Sequence, residues 1–170
     1  MMLTFLALAG FLQTTPPAPP AIDCSDADHS AFNFWVGDWI VSPTGLEVDV
    51  ATSRIGSVAN GCAIEETYHQ TMNRQGQPLD YRGHSYSAFD AADGRWKQFY
   101  VDSNGVVTMF VGGAVDGTIV VVAGSGGSLQ RMTVRPIEGG RVRQNGESST
   151  DGGATWTATY DFTYRPATNE

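Results

Sequence analysis

Apolar and polar residues alternate with a period of two along most of the chain between residues 38 and 165. Such alternation is typical of half-buried β-strands, because successive side chains of a strand point to opposite faces of the sheet. Short turns rich in glycine, asparagine and aspartate separate the alternating segments. The pattern predicts ten strands, over residues 38–42, 46–55, 62–71, 81–89, 95–102, 106–111, 118–123, 129–137, 141–148 and 156–165.

One short helical turn is predicted over residues 26–34, with Ser25 or Asp26 as its N-cap. Since no other helix is available to connect parallel strands, the sheet is expected to be antiparallel. A meander of this length normally avoids open edges by closing into a barrel. The sequence therefore predicts an all-β fold, a single antiparallel β-barrel of about ten strands within residues 22–170.

An aromatic block runs from Phe32 to Val41, with the sequence FNFWVGDWIV. A large aromatic side chain buries about 150–250 Å² in a folded protein. Two tryptophans and two phenylalanines within ten residues are therefore not expected to remain in solvent. We expect the block to plug the barrel or to seed its core.

Alternation also predicts which side chains face the barrel interior. On residues 95–102 the charged side chains mark the solvent face, so the remaining face points inward. We predict that a ligand packs on aromatic members of the inward set and is oriented by polar members; these residues are Trp96, Tyr100, Tyr160, Glu66, Ser85, Gln98 and Gln144. An unpaired buried polar group costs about 1–3 kcal/mol. The interior is thus either a cavity for a small, partly apolar ligand or a closed polar network that fixes the register.

Glu66 is the inward carboxylate that the alternation identifies, and desolvation is expected to raise its pKa. It could pair with Gln98, contact a ligand's amine or hydroxyl, or act as a general acid or base. The chain contains no Gly-x-Ser-x-Gly motif, phosphate-binding loop or histidine set with metal spacing. We therefore assign no catalytic residue. A barrel enzyme that uses Glu66 and a non-catalytic, partner-binding barrel remain the alternatives to ligand binding.

His69 and His84 lie on the outward face of two neighbouring predicted strands. If the hairpin between these strands sets the two histidines opposite each other, they could hold a divalent metal. No third ligand is evident, so an exposed pair without a metal is the prediction.

The formal net charge of −8 and the lack of a basic patch argue against nucleic acid and anionic membrane surfaces as partners. A small-molecule ligand is the expected partner, and a homodimer through an outer face is a further hypothesis. We expect no membrane insertion of the mature domain.

Residues 1–21 have the composition of a signal peptide followed by a proline-rich leader. Residues 1–13 are apolar and uncharged but too few to span a bilayer, and residues 16–20 contain four prolines. We expect export to the periplasm or secretion; a misassigned start or an uncleaved anchor is the alternative. In an exported protein the only two cysteines, Cys24 and Cys62, are expected to form a disulfide, whereas without export they would be free buried thiols.

The hairpin sequence from Ser149 to Trp156 is similar to the Asp-box of propeller proteins, but a propeller needs several copies. We expect Asp151 to cap this turn, the glycines to adopt positive φ and Trp156 to pack under the hairpin. The alternation of the last strand additionally places Trp156 on the inward face with Tyr160.

Five motifs occur in a fixed order: Phe-x-Phe-Trp-x-Gly-x-Trp at 32–39, Gly-Cys-x-Ile-x-Glu at 61–66, Gly-x-Ser at 83–85, Trp-x-Gln at 96–98 and Arg-Gln…Ser-x-Asp-Gly-Gly-x-Thr-Trp at 143–156. Together they resemble the DUF1579 group of small, secreted, calycin-like bacterial proteins of unknown function, over residues 24–165. The resemblance implies a calycin-type barrel related in shape to lipocalins. Gly37 and Trp39 resemble the lipocalin Gly-x-Trp, whose tryptophan closes the barrel floor.

The nitrobindins, which share this barrel shape, bind haem through a histidine near the C-terminal end. Here the last histidine is His84, and the last two predicted strands contain no histidine, cysteine or methionine. We therefore predict no haem and no other cofactor, and the resemblance implies no reaction.

Overall fold

All ten predicted strands are present in the computed structural model, which describes residues 23–167. They are β1 Gly37–Pro43, β2 Ala51–Val58, β3 Ala63–Met72, β4 Pro78–Asp90, β5 Arg95–Asp102, β6 Val107–Val115, β7 Thr118–Ser125, β8 Ser128–Ile137, β9 Arg141–Ser149 and β10 Thr157–Pro166. The predicted leader, residues 1–21, lies outside the described residues, as do residues 22 and 168–170.

The largest difference from the prediction is the start of β2, at Ala51 rather than at residue 46. The preceding residues form a loop in which Asp49 contacts β1 and β10. Its carboxylate accepts hydrogen bonds from Ser42 Oγ at 3.0 Å and from Arg165 at 2.6 Å. The ladder between β1 and β2 ends at the pair Val41 and Ala51, so residues 46–50 lie beyond it.

Each strand pairs antiparallel with the next strand along the chain, and β1 closes the ring by pairing with β10. Trp39 of β1 lies opposite Ser53 of β2 on one side and Pro166 of β10 on the other. Because the ring is closed, every strand has two neighbours and no edge is exposed. The predicted all-β fold, one antiparallel barrel of ten strands, is confirmed.

The aromatic block closes one end of this barrel. A one-turn helix, α1 (Ala27–Ser30), begins after Asp26, and a 3-10 turn follows at Asn33–Trp35. The side chain of Asp26 accepts hydrogen bonds from backbone N–H groups of α1, so the expected N-cap is confirmed. Within residues 23–167, no helix has the length and apolarity that a membrane span needs.

The plug is built from stacked rings. Phe32 and Trp35 are fully buried, with their ring centroids 5.1 Å apart. The Trp35 ring packs edge-on against Tyr164 of β10 at 5.6 Å, and Trp39 Nε1 donates to the Trp35 carbonyl at 2.9 Å. The expectation that the block plugs the barrel is confirmed.

A disulfide between Cys24 and Cys62 fastens the plug to the barrel wall, as predicted. Cys24 precedes α1, and Cys62 lies between a 3-10 turn at Ala59–Gly61 and the first residue of β3. The bridge joins positions 38 residues apart, for which loop-closure entropy gives a stabilisation of about 3–4 kcal/mol.

The hairpin between β9 and β10 has the expected turn chemistry. Asp151 accepts from the Thr155 backbone N–H at 2.9 Å and from the Thr155 hydroxyl at 2.6 Å, contacts that lower the Asp151 pKa to about 2. Gly152 and Gly153 have φ values of 73° and 92°, and Trp156 Nε1 donates to the Gly153 carbonyl at 3.0 Å. The predicted structural role of this motif is confirmed.

The predicted inward orientation of Trp156 is wrong. A bulge between Ala158 and Tyr160 adds one residue to β10. The side chains that precede the bulge therefore point to the opposite face from the one that the alternation predicted. Trp156 consequently lies on the outer surface, where the Arg131 guanidinium is 4.2 Å from its ring centroid.

Candidate functional site

A cavity of about 420 Å³ occupies the end of the barrel opposite the plug. Leu79, at the start of β4, and Val106, just before β6, line it and are 41% and 50% exposed, so they mark its mouth. Small-molecule sites typically measure about 300–1,000 Å³. The barrel is therefore hollow at one end and solid at the other.

Five of the seven predicted contact residues line this cavity, namely Glu66, Gln98, Tyr100, Gln144 and Tyr160. Trp96 does not. It faces inward as predicted, but at the plugged end, where its ring meets Phe32 at 5.4 Å and its Nε1 donates to the Asp28 carbonyl at 3.1 Å. The aromatic block occupies the space that a ligand would need there.

Ser85 is buried behind the cavity wall rather than exposed to the cavity. The Gln98 amide donates to Ser87 Oγ at 3.0 Å and to Ser85 Oγ at 3.4 Å. Ser85 therefore positions Gln98. The pairing of Glu66 with Gln98 that the sequence left open is not formed, because the Gln98 amide is directed at these two serines.

Five of the chain's six tyrosines line the cavity: Tyr68, Tyr81, Tyr100, Tyr160 and Tyr164. The predicted contact set contained only two of them. In the alternation, Tyr68 lies on the same face of its strand as Glu66, and Tyr164 on the same face as Tyr160. Tyr81 likewise lies on the same face as Ser85. The alternation alone could therefore have identified all three missed tyrosines as inward-facing.

Two glycines give the tyrosine rings their room. A Cβ atom on Gly83 would lie 2.2 Å from the Tyr100 hydroxyl oxygen, and one on Gly146 would lie 2.1 Å from Tyr160 Cε1. Any side chain at either position would displace the ring from the wall. The two rings therefore lie flat across neighbouring strands and shape the cavity.

Hydrogen bonds fix the polar groups around the mouth. The hydroxyls of Tyr81 and Tyr100 are 2.5 Å apart, and the Tyr81 hydroxyl donates to Asp102 at 3.2 Å. Asp102 is itself held by the backbone N–H groups of Asn104 and Val106, at 2.9 and 3.0 Å. This chain of contacts orders the rim of the cavity.

A second set of contacts orders the deep wall. The Tyr164 hydroxyl donates to Gln144 Oε1 at 2.8 Å, and Gln144 Nε2 lies 3.1 Å from the sulfur of Met132. Both interpretations of the polar interior thus hold in part. Gln98 and Gln144 belong to hydrogen-bonded networks, whereas the cavity itself is open at the mouth formed by Leu79 and Val106.

Glu66 is the buried ionisable group at the centre of the site, with only 4% of its surface exposed. Burial raises its pKa to about 7, a rise that the hydrogen bond from the Ser53 hydroxyl opposes. Ser53 Oγ donates to Glu66 Oε1 at 2.8 Å, while the single hydroxyl hydrogen of Tyr164 is directed at Gln144. Ser53 is therefore the hydrogen-bond donor of this carboxylate.

The opposition of His69 and His84, on which a metal site would have depended, is not formed. The hairpin centred on residues 74–77 sets His69 opposite Arg82 and His84 opposite Thr67. His69 Nε2 instead contacts Asp80 Oδ1 at 2.9 Å on the outer surface. In the part of the chain that the structure describes, no group of three or more potential metal ligands is found.

No protein-family model matches the chain, and no curated protein matches it. The resemblance to the DUF1579 group therefore remains a prediction based on its five motifs.

Proposed function

We propose that this protein binds a small, partly apolar molecule inside its barrel, as an exported calycin-like protein of the DUF1579 type. The observation that carries the proposal is the cavity of about 420 Å³, with its exposed mouth, aromatic walls and fixed polar groups. A protein interior normally contains few voids larger than a water molecule. Rigid rings keep a space of this size open, so a binding site for a ligand is favoured over a defect in packing.

Preorganisation of the walls also supports binding. The rings of Tyr100 and Tyr160 are held over Gly83 and Gly146, and the hydroxyl of Tyr100 is hydrogen-bonded to that of Tyr81. A site whose side chains are already ordered loses little conformational entropy when a ligand enters. Export is part of the same proposal and is supported by the Cys24–Cys62 disulfide.

A neutral solvatochromic dye, Nile red, tests whether the cavity takes a ligand. We expect saturable 1:1 binding to the full chain, and at least tenfold weaker binding to Thr108→Trp, which fills the cavity from β6. Thr52→Trp, at an exposed position of β2, is the matched control and should bind as the wild type does. Equal binding by all three proteins would place the dye on the surface and contradict the proposal.

A barrel enzyme is the second candidate, because the pKa of Glu66, about 7, suits a general acid or base at neutral pH. Its test is turnover of any small molecule that copurifies with the protein. Glu66→Gln should then abolish turnover while Nile red binding is retained. Full activity of that variant would exclude the enzyme hypothesis.

A homodimer is the candidate that the outer surface favours. Tyr86, Phe99 and Met109 lie directly opposite one another on β4, β5 and β6, and are 53%, 43% and 52% exposed. An apolar row of this kind is self-complementary and can pair with its copy across a two-fold axis.

Sedimentation velocity tests the dimer. We expect Phe99→Lys to convert a concentration-dependent dimer into a monomer, because it places a charge at the centre of the row. Leu46→Lys, an equally exposed apolar position on the β1–β2 loop, should leave the dimer intact. A wild-type protein that stays monomeric at high micromolar concentration would contradict this proposal.

A further inference from the structure

The charge balance of the cavity is one-sided. Its lining contains two carboxylates, Glu66 and Asp102, and, among the residues that the structure describes, no lysine, arginine or histidine. Within residues 23–167, Glu66 has no cationic partner and one hydrogen-bond donor, Ser53. A carboxylate buried without a cation is destabilised in its ionised form, so a cation that entered the cavity would be stabilised beside it.

The tyrosines surround this carboxylate. Burial raises the pKa of the hydroxyls of Tyr68, Tyr81, Tyr100, Tyr160 and Tyr164, and for each of them the charge of Glu66 raises the pKa further. All five tyrosines also line the same cavity as Glu66, which places them around a molecule bound beside it. The faces of aromatic rings attract cations, and this attraction reaches about 2 kcal/mol where water is excluded.

We infer that the preferred ligands are organic amines, bound as ammonium ions beside the Glu66 carboxylate with their hydrocarbon part against the tyrosine rings. This inference rests on the proposed function and specifies the ligand class. The same geometry disfavours fatty acids and other carboxylates, because the lining offers no cation to receive them and Glu66 would repel them.

The inference predicts a pH dependence of defined sign. Only the ionised form of Glu66 attracts an ammonium ion, and its pKa is about 7. The ionised fraction rises from about 1% at pH 5 to about 90% at pH 8, while an alkylamine stays protonated throughout. Amine affinity should therefore rise by roughly tenfold to a hundredfold between pH 5 and pH 8. A neutral ligand of the same shape should show little change.

Three matched probes test this by isothermal titration calorimetry on the full chain: 4-phenylbutylamine, 4-phenylbutanol and 4-phenylbutyrate. At pH 8 we expect the amine to bind at least tenfold more tightly than the alcohol, and the carboxylate not to bind. Glu66→Gln should bring the amine to within a few-fold of the alcohol and remove its pH dependence. Glu65→Gln makes the same charge change on the outer face of β3 and should leave amine binding unchanged.

The outcomes separate this inference from the proposed function. If the alcohol binds as tightly as the amine, or the carboxylate binds best, the amine inference is overturned while ligand binding stands. The same holds if none of the three probes binds but Nile red does. If neither the probes nor Nile red bind, both proposals fail.

Discussion

Trp35→Ala is expected to lower the free energy of unfolding by about 3–5 kcal/mol, the range for truncating a large buried aromatic side chain. Trp35 is completely buried and contacts both the plug, through Phe32, and the barrel wall, through Tyr164. Its removal would leave a void that the closed barrel cannot collapse to fill. Urea denaturation at constant pH, with the disulfide intact, measures the loss.

Two variants sharpen this prediction. Trp35 Nε1 has no hydrogen-bond partner within residues 23–167, so Trp35→Phe keeps a ring and removes an unsatisfied donor. We expect it to retain most of the stability that Trp35→Ala loses. Val36→Ala, at the next position and 38% exposed, should change stability by only about 0.5 kcal/mol. A loss for Trp35→Ala as small as that of Val36→Ala would show that the plug is not a part of the core.

Glu66→Gln is expected to stabilise the protein above pH 7, by up to about 3 kcal/mol. Burial raises the pKa of Glu66 from 4.5 to about 7, so the folded state holds this proton more tightly than the unfolded state. The stability of the wild type therefore falls as the pH rises from about 4.5 to 7, and the full loss is present above pH 7. The variant has no charge to desolvate, so its advantage should appear over this interval and be near zero at pH 4.

Urea denaturation of the wild type and the variant from pH 4 to 8.5 measures the difference between their free energies of unfolding. The other carboxylates contribute equally to both proteins, so their contributions cancel in this difference. Glu65→Gln, on the outer face of β3, is the control and should show no such pH-dependent gain. A constant difference between the wild type and Glu66→Gln at all pH values would mean that Glu66 does not titrate in this interval. That result would also remove the basis for pH-dependent amine binding.

The plug and Glu66 thus have opposite energetic roles. Phe32 and Trp35 fill one end of the barrel and stabilise it, whereas Glu66 lowers stability at neutral pH. A buried group that lowers stability is characteristic of functional sites, where stability is traded for activity. The largest stability gain is therefore expected from the same substitution that is expected to abolish amine selectivity.

Much of this architecture could be predicted from local sequence patterns. A strand repeats every two residues, so the alternation alone identified the ten strands and placed Glu66, Gln98 and Gln144 on the inward face. The disulfide followed from there being only two cysteines, and the turn at Asp151 from residues within a single hairpin. The strands and the turn depend on chemistry within about ten residues. The disulfide required only a choice between one possible bridge and two free thiols.

The remaining features depend on contacts between distant segments, which no local pattern encodes. Trp96 faces inward as predicted, but only the folded N-terminal block shows that its end of the barrel is filled. One bulged residue in β10 moved Trp156 to the outside, and the register of a hairpin separated His69 from His84. The hydrogen-bond donor of Glu66 proved to be Ser53, thirteen residues away on the neighbouring strand.

The sequence by itself thus determined the ten antiparallel strands and, outside the bulge of β10, which side chains face the interior, because both follow from the two-residue period of a strand. Only the tertiary structure decided which end is solid, which is hollow and what surrounds Glu66. The physical reason is that a cavity is the volume left after all segments have packed. Its position depends on the closure of β1 against β10 and on the seating of Phe32 and Trp35, which are set by the whole chain together.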